Sequence, residues 1–246
     1  MKLRGNTILI TGGTSGIGLG FAKAFLKKGN KVIICGRRKH RLEQIEGEYP
    51  EIITRMSDVS KDEEREDLFN WVAKDYPETN VLVNNAGIQR KTDLTKPVDM
   101  TCIHAETDIN FHGPVHLSSL FVKLFSNKER AAIINISSGL AFTPIAWMPI
   151  YCATKAALHS FSLSIRHQLR NTSIKVFEII PPSVDTELGH DYRSDPNKSH
   201  GGMSISEFID KAMNALEENK LEYAIGQSKN LHARREQLFD LLNQQR

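Results

Sequence analysis

Tyr151 and Lys155 stand four residues apart in the stretch Pro149-Ile150-Tyr151-Cys152-Ala153-Thr154-Lys155, among the good helix formers Ala153, Ala156, Ala157 and Leu158. On a helix this spacing puts both side chains on one face, with the ammonium beneath the phenol. A free phenol has a pKa near ~10, too high for proton exchange at neutral pH. A fixed positive charge a few ångströms away favours the phenolate and lowers that value, which is how a tyrosine becomes a working acid or base. Tyr-x-x-x-Lys alone also describes an ordinary exposed helix, so its weight depends on what accompanies it.

A second chemical feature opens the chain. The apolar run 6–11 (NTILIT) reads as a buried strand and leads into Gly12-Gly13-Thr14-Ser15-Gly16-Ile17-Gly18, then a helical pattern over 19–28. A strand, a glycine turn and a helix N-terminus together make a phosphate site. The glycines admit close backbone approach, and the first helical turn offers free N–H groups and a partial positive charge. The spacing is Gly-x-x-x-Gly-x-Gly, not the commoner Gly-x-Gly-x-x-Gly. A second strand, 31–35, ends at Gly36-Arg37-Arg38-Lys39. An acid there would hold the ribose hydroxyls of NAD; the two arginines instead match the 2′-phosphate of NADP.

The remaining pattern alternates strands and helices. A helix over 40–48 precedes a third strand, 52–56, and Ser57-Asp58-Val59, where Asp58 is placed either to accept from an adenine amino group or to cap the helix of 62–75. A fourth strand, 81–83, ends in Asn84-Asn85-Ala86-Gly87, a turn predicted to lie beside the bound nucleotide. One long helix is expected over 101–124, with Asn110 inside it, where asparagine is unfavourable unless its side chain is used. His112 and His116 share a face of that helix, but no third metal ligand is near them. A fifth strand, 130–138, ends in Ser137 and Ser138; the Tyr151 helix follows to about residue 169, then a sixth strand, 173–180, and Pro181-Pro182-Ser183-Val184-Asp185-Thr186. Residues 188–203 are polar and aperiodic and read as a substrate flap. Helices over 204–218 and 231–243 and a short strand at 222–225 complete the chain.

These elements predict a single α/β domain over residues 1–246, a Rossmann-like, doubly wound parallel sheet of about seven strands with helices on both faces. A net charge of +3 provides no basic stripe for nucleic acid. No apolar run reaches the ~18 residues of a membrane span. No signal-peptide pattern precedes the first strand, and Cys35, Cys102 and Cys152 lack any Cys-x-x-Cys pairing, so the expectation is a cytoplasmic protein with reduced thiols, inserting into no membrane and holding no metal.

Taken in order, Thr11-Gly12-x-x-x-Gly16-x-Gly18, Asp58, Asn84-Asn85-Ala86-Gly87, Asn110, Ser138 and Tyr151-x-x-x-Lys155 resemble the short-chain dehydrogenases/reductases over essentially the whole length. The resemblance implies hydride transfer between NADP(H), in preference to NAD(H), and a small-molecule secondary alcohol or carbonyl substrate. Tyr151 is then the general acid/base, Ser138 the donor to the substrate oxygen, Lys155 the holder of the nicotinamide ribose, and Asn110 the anchor of a relay water. Gly12, Ser15, Gly16, Ile17, Gly18, Arg37 and Arg38 fall at cofactor positions. Asp58, Val59, Asn85, Ala86 and Gly87 fall on the adenosine side and nearby turn, Val184 and Thr186 on the nicotinamide side. It also implies a homodimer or homotetramer. One departure stands out, Pro182 where the family has glycine, which predicts a stiffer or displaced wall. The sequence is also similar to bacterial members associated with D-alanylation of teichoic acids, an association that names no substrate.

Two further readings share these motifs. A non-catalytic NADP(H) sensor or scaffold would not need the complete Ser-Tyr-Lys group, and an epimerase or dehydratase would need a larger C-terminal domain. Leu140, Phe142, Ile145, Trp147 and Met148 suggest a partly apolar substrate pocket, or a piece of core.

Overall fold

The computed structural model describes residues 1–189 and 201–244. Seven parallel strands form one sheet: β1 (Thr7–Thr11), β2 (Lys31–Gly36), β3 (Ile52–Met56), β4 (Val81–Asn84), β5 (Ala131–Ile136), β6 (Ile174–Ile180) and β7 (Glu222–Ala224). Their spatial order is β3-β2-β1-β4-β5-β6-β7. The order reverses at β1, which pairs with β2 on one side and β4 on the other. In such sheets the crevice beyond the carboxyl ends of the strands flanking the reversal is where ligands bind.

The continuous apolar runs of the strands follow from burial on both faces. Side chains alternate between two layers. Ile8, Ile10, Val32, Ile34, Ile134 and Phe177 pack toward α1 (Gly16–Lys27) and α7 (Ile205–Glu217) through Phe21, Phe25 and Phe208. Leu9, Ile33, Leu82, Ile133 and Val176 pack on the other face toward α3 (Asp62–Asp75) and α5 (Gly113–Phe125) through Leu68, Val72, Leu117 and Phe121. Phe21 and Phe121 are fully buried, and truncating such a side chain to alanine costs ~3–5 kcal/mol. The helix α2 (Lys39–Glu48) covers β2 and β3, and α6 (Pro149–Gln168) carries Tyr151 and Lys155 over β6.

Two expected helices differ. The helix expected over 101–124 is interrupted: α4 (Met100–Thr107) passes through a π-turn at Asp108–His112 into α5, and Asn110 lies in that turn. The C-terminal helix is broken into α8 (Ser228–Arg234), a 3-10 turn (Arg235–Leu238) and α9 (Phe239–Asn243). Arg235 takes φ +50°, left-handed for a non-glycine, and its carbonyl accepts from Thr143 Oγ1 at 2.8 Å. Asp58 does not cap α3: it closes a local turn by accepting from Ser60 N and Oγ at 3.0 and 2.8 Å. Ser204 does cap α7, accepting from Glu207 N at 3.2 Å. Of the expected flap, residues 190–200 lie outside the described residues. The three cysteines are free thiols, and no helix among the described residues is long and apolar enough to cross a membrane.

Candidate active site

A cavity of about 580 Å³ opens beyond the carboxyl ends of β1, β2, β4 and β5. At its floor the turn after β1 is fitted to the turn after β4. Thr11 Oγ1 accepts from the main-chain N–H groups of Asn85 and Ala86, both at 3.0 Å, and Asn85 Nδ2 donates to the carbonyls of Thr11 and Gly12 at 2.9 and 3.2 Å. Gly12 has φ +64°, and a Cβ there would come within 2.8 Å of Ala86 Cα. A Cβ on Gly18 would meet the Gly12 carbonyl at 2.3 Å. Helix α1 begins immediately beyond with no acid in its first turn, so its N–H groups and positive pole face the cavity unopposed. This glycine-lined cradle fits a dinucleotide pyrophosphate.

Deeper in, Tyr151 and Lys155 are both 5% exposed. Lys155 Nζ donates to the Ile136 carbonyl at 2.9 Å and lies 5.8 Å from the centre of the Tyr151 ring. Burial drives the Lys155 pKa down from 10.5 to about 8, against Glu178 and Glu106, which hold the proton on. Asn110 Oδ1 accepts from Ile88 N at 2.9 Å, and Nδ2 donates to Ile88 O at 2.8 Å and Thr154 Oγ1 at 3.1 Å. Gly87 is the meeting point: a Cβ there would lie 3.4 Å from Asn110 Oδ1 and 3.6 Å from Lys155 Nζ. One turn earlier on α4, the buried Glu106 accepts from Arg90 N at 3.2 Å; burial raises its carboxyl to about 7.

Of the residues expected at the cofactor, Gly12, Ser15, Gly16, Ile17, Arg37, Arg38, Asp58, Val59, Asn85, Ala86, Gly87, Tyr151, Lys155 and Thr186 line this cavity. Gly18, Asn110 and Val184 stand behind its wall. Val184 bridges to Met203, and Asp185 N donates to Met203 O at 2.9 Å. Ser138 is also set back, its Oγ accepting from Leu140 N at 3.1 Å, while Ser137 and Ile136 reach the wall. Pro182 is accommodated by Gly226, at φ +58°, where a Cβ would lie 3.4 Å from the Pro182 ring. The suggested apolar pocket is not found among the described lining. Leu140, Ile145, Trp147 and Met148 instead pack with Tyr151 and Cys152 in a small cluster, and Phe142 meets the rings of His159 and His232 edge-on. His112 and His116 do not form a pair: the first meets Asp108, and the second accepts from Arg65 Nε.

The sequence reading missed a polar network behind Lys155. Glu178 is fully buried on β6; its Oε1 accepts from Ser137 Oγ at 2.6 Å and its Oε2 meets His159 Nδ1 at 2.8 Å. Glu222 on β7 is held in turn by His232 at 2.8 Å and by Arg166 at 3.6 Å. His159, Glu178 and Glu222 are close enough to suggest a metal site, but these partners already engage all four carboxylate oxygens. The available signal was a lone acid in the apolar run Ile174–Ile180. Arg41 and Glu187, also missed, line the cavity beside Arg38.

Comparison with known proteins fits this geometry. The family model described as short chain dehydrogenase matches residues 6–197. The chain belongs to the short-chain dehydrogenase/reductase family. It is therefore an NAD(P)-dependent oxidoreductase that uses a nicotinamide dinucleotide. The chain is 48% identical to "Uncharacterized oxidoreductase DltE" of Bacillus subtilis (strain 168), over 90% of this chain and 88% of that one. It is 32% identical to "NADP-dependent 3-hydroxy acid dehydrogenase YdfG" of Salmonella typhi, over 72% of each chain. Among solved structures, a short-chain dehydrogenase/reductase from Burkholderia phymatum in complex with NAD superposes with a TM-score of 0.84 at 20% identity, over 95% of this chain and 94% of that one. At that identity the last likeness speaks for the fold.

Proposed function

We propose that this short-chain dehydrogenase/reductase transfers hydride between NADP(H) and a small secondary alcohol or its carbonyl, with the proton handled by Tyr151. The observation that carries this reading is the meeting of Lys155 Nζ and Asn110 Oδ1 at Gly87, beside Tyr151, in a cavity whose other end carries Arg37, Arg38 and Arg41. Bound nicotinamide supplies or accepts the hydride. The Tyr151 hydroxyl gives its proton to the substrate oxygen, or removes it in the reverse direction. Lys155, fixed on the Ile136 carbonyl, keeps a positive charge near the ring and stabilises the phenolate. Ser138 uses a lone pair to accept from Leu140 N, which leaves its O–H as the donor to the substrate oxygen. Asn110, in the π-turn, is the anchor this reading gives to a relay water.

Preference for NADP over NAD rests on the absence of an acid at Gly36-Arg37-Arg38 and on the NADP dependence named for the Salmonella relative. The chain works as one domain, as a homodimer or homotetramer through α5 and α6, and in the cytoplasm, consistent with three free thiols. The test is NADPH oxidation over a panel of aldehydes, ketones, quinones and sugars. A substrate turned over by the wild type should lose at least ~100-fold in kcat with Tyr151→Phe, the scale of acid/base catalysis. Near-full turnover by that variant would overturn the assignment.

A further inference from the structure

The corner of the cavity after β2 is crowded with positive charge. Arg37, Arg38, Lys39, His40 and Arg41 are consecutive, and the first turn of α2 contains no acid. A helix N-terminus is already a positive pole, so a basic first turn calls for an anion from elsewhere. Glu187 provides one from 149 positions further along the chain. Its Oε2 accepts from Arg38 Nη1 at 3.0 Å and its Oε1 from Arg41 Nη2 at 2.7 Å. The other side of the Arg38 guanidinium is committed to the glycine turn, donating to Ser15 Oγ at 2.9 Å. Glu187 directly follows Thr186, whose methyl would lie 3.2 Å from a Cβ on Gly16. One carboxylate thus bridges two guanidiniums on the wall of the cavity.

We propose that Glu187 is a built-in competitor for the 2′-phosphate of NADP(H), holding Arg38 and Arg41 so that a phosphate must displace it to recruit them. This deepens the NADP reading above and rests on it. A phosphate monoester offers three acceptor oxygens and about −1.5 to −2 charges, against two oxygens and a single charge on the carboxylate, so it can win the same donors. A ribose hydroxyl is neutral and cannot. Glu187 therefore lowers affinity for the phosphorylated cofactor and leaves the unphosphorylated one untouched. The two ion pairs are about one-third exposed, and pairs of that kind predict a modest effect, about three- to tenfold in apparent affinity.

Calorimetric titration with 2′,5′-ADP and 5′-AMP, which differ by the one phosphate, together with NADPH and NADH, tests this. The E187Q protein should bind 2′,5′-ADP and NADPH about three- to tenfold tighter than wild type, with 5′-AMP and NADH unchanged, and added salt should shrink the gain. E187A should behave alike, and thermal melting checks that both variants fold. In the R38Q/R41Q background, which lacks both partners of Glu187, E187Q should give no gain. Equal shifts for ligands with and without the 2′-phosphate, no shift, weaker 2′,5′-ADP binding, or a gain that survives in the R38Q/R41Q background would each overturn the role of Glu187. Wild-type protein that held 2′,5′-ADP no tighter than 5′-AMP would overturn the NADP reading as well.

Discussion

His159 Nδ1, one turn along α6 from Lys155, and Glu178 Oε2 meet at 2.8 Å, and Ser137 binds the other oxygen of the same carboxylate. Ser137 adjoins Ile136, whose carbonyl holds the lysine. A buried anion and a buried cation are thus tied to successive residues of one strand end, and the charge on Glu178 helps to keep Lys155 protonated.

That arrangement predicts the alkaline limb of carbonyl reduction. Burial brings Lys155 down to about 8, and Glu178 opposes the drop. Reduction should therefore decline as pH rises through about 8, where Lys155 gives up its charge. Glu178→Gln keeps the shape and removes the charge, so the limb should move to lower pH. A folded Glu178→Gln protein with an unmoved limb would disconnect Glu178 from the lysine.

The same pair has a signature in stability. The hydrogen bond that His159 donates to Glu178 raises the His159 pKa above 6.5, against burial. A group with a raised folded pKa stabilises fully below its unfolded value and loses that contribution as pH rises through the folded value. The melting-temperature advantage of wild type over His159→Gln should accordingly be largest below pH 6.5 and shrink above it. Lys155 has the opposite sign: its depressed pKa opposes folding below about pH 8, a penalty that fades toward 10.5. Melting curves across pH 5–10 separate the two.

Asn110→Ala removes three hydrogen bonds at once and leaves Ile88 N and O without that side chain. Each abandoned buried polar group costs ~1–3 kcal/mol, so denaturant titration should show a loss of about 2 kcal/mol or more. Turnover should fall further than stability alone explains, because Ile88 and Gly87 flank the lysine. A variant with normal stability and turnover would refute the clamp.

Arg37→Asp replaces a donor to phosphate with a repelling charge. NADPH binding should weaken more than NADH binding, read as separate dissociation constants; equal losses would remove Arg37 from the 2′-phosphate site.

Much of this was legible in residue order. The alternating apolar runs and glycine punctuation depend on short-range rules, so the doubly wound parallel sheet could be read directly. Tyr151 and Lys155 could be paired because helical spacing alone puts them on one face. The π-turn was not legible. Asn110, Gly113 and Pro114 are poor helix formers but do not by themselves specify a wider turn; Asn110, in that turn, binds Ile88, 22 residues earlier. The break at Arg235 likewise depends on Thr143, 92 positions away.

The sequence by itself determined the family of folds, the phosphate-binding turn and the identity of the acid/base candidate, because each follows from neighbours within a few residues. Only the tertiary structure decided what surrounds that machinery. The Glu178–His159 pair behind Lys155, the Glu187 bridge across Arg38 and Arg41, and the Pro182–Gly226 fit all join residues far apart in the chain. Charge and shape act over ångströms of space, and the fold alone decides which distant residues come within that range.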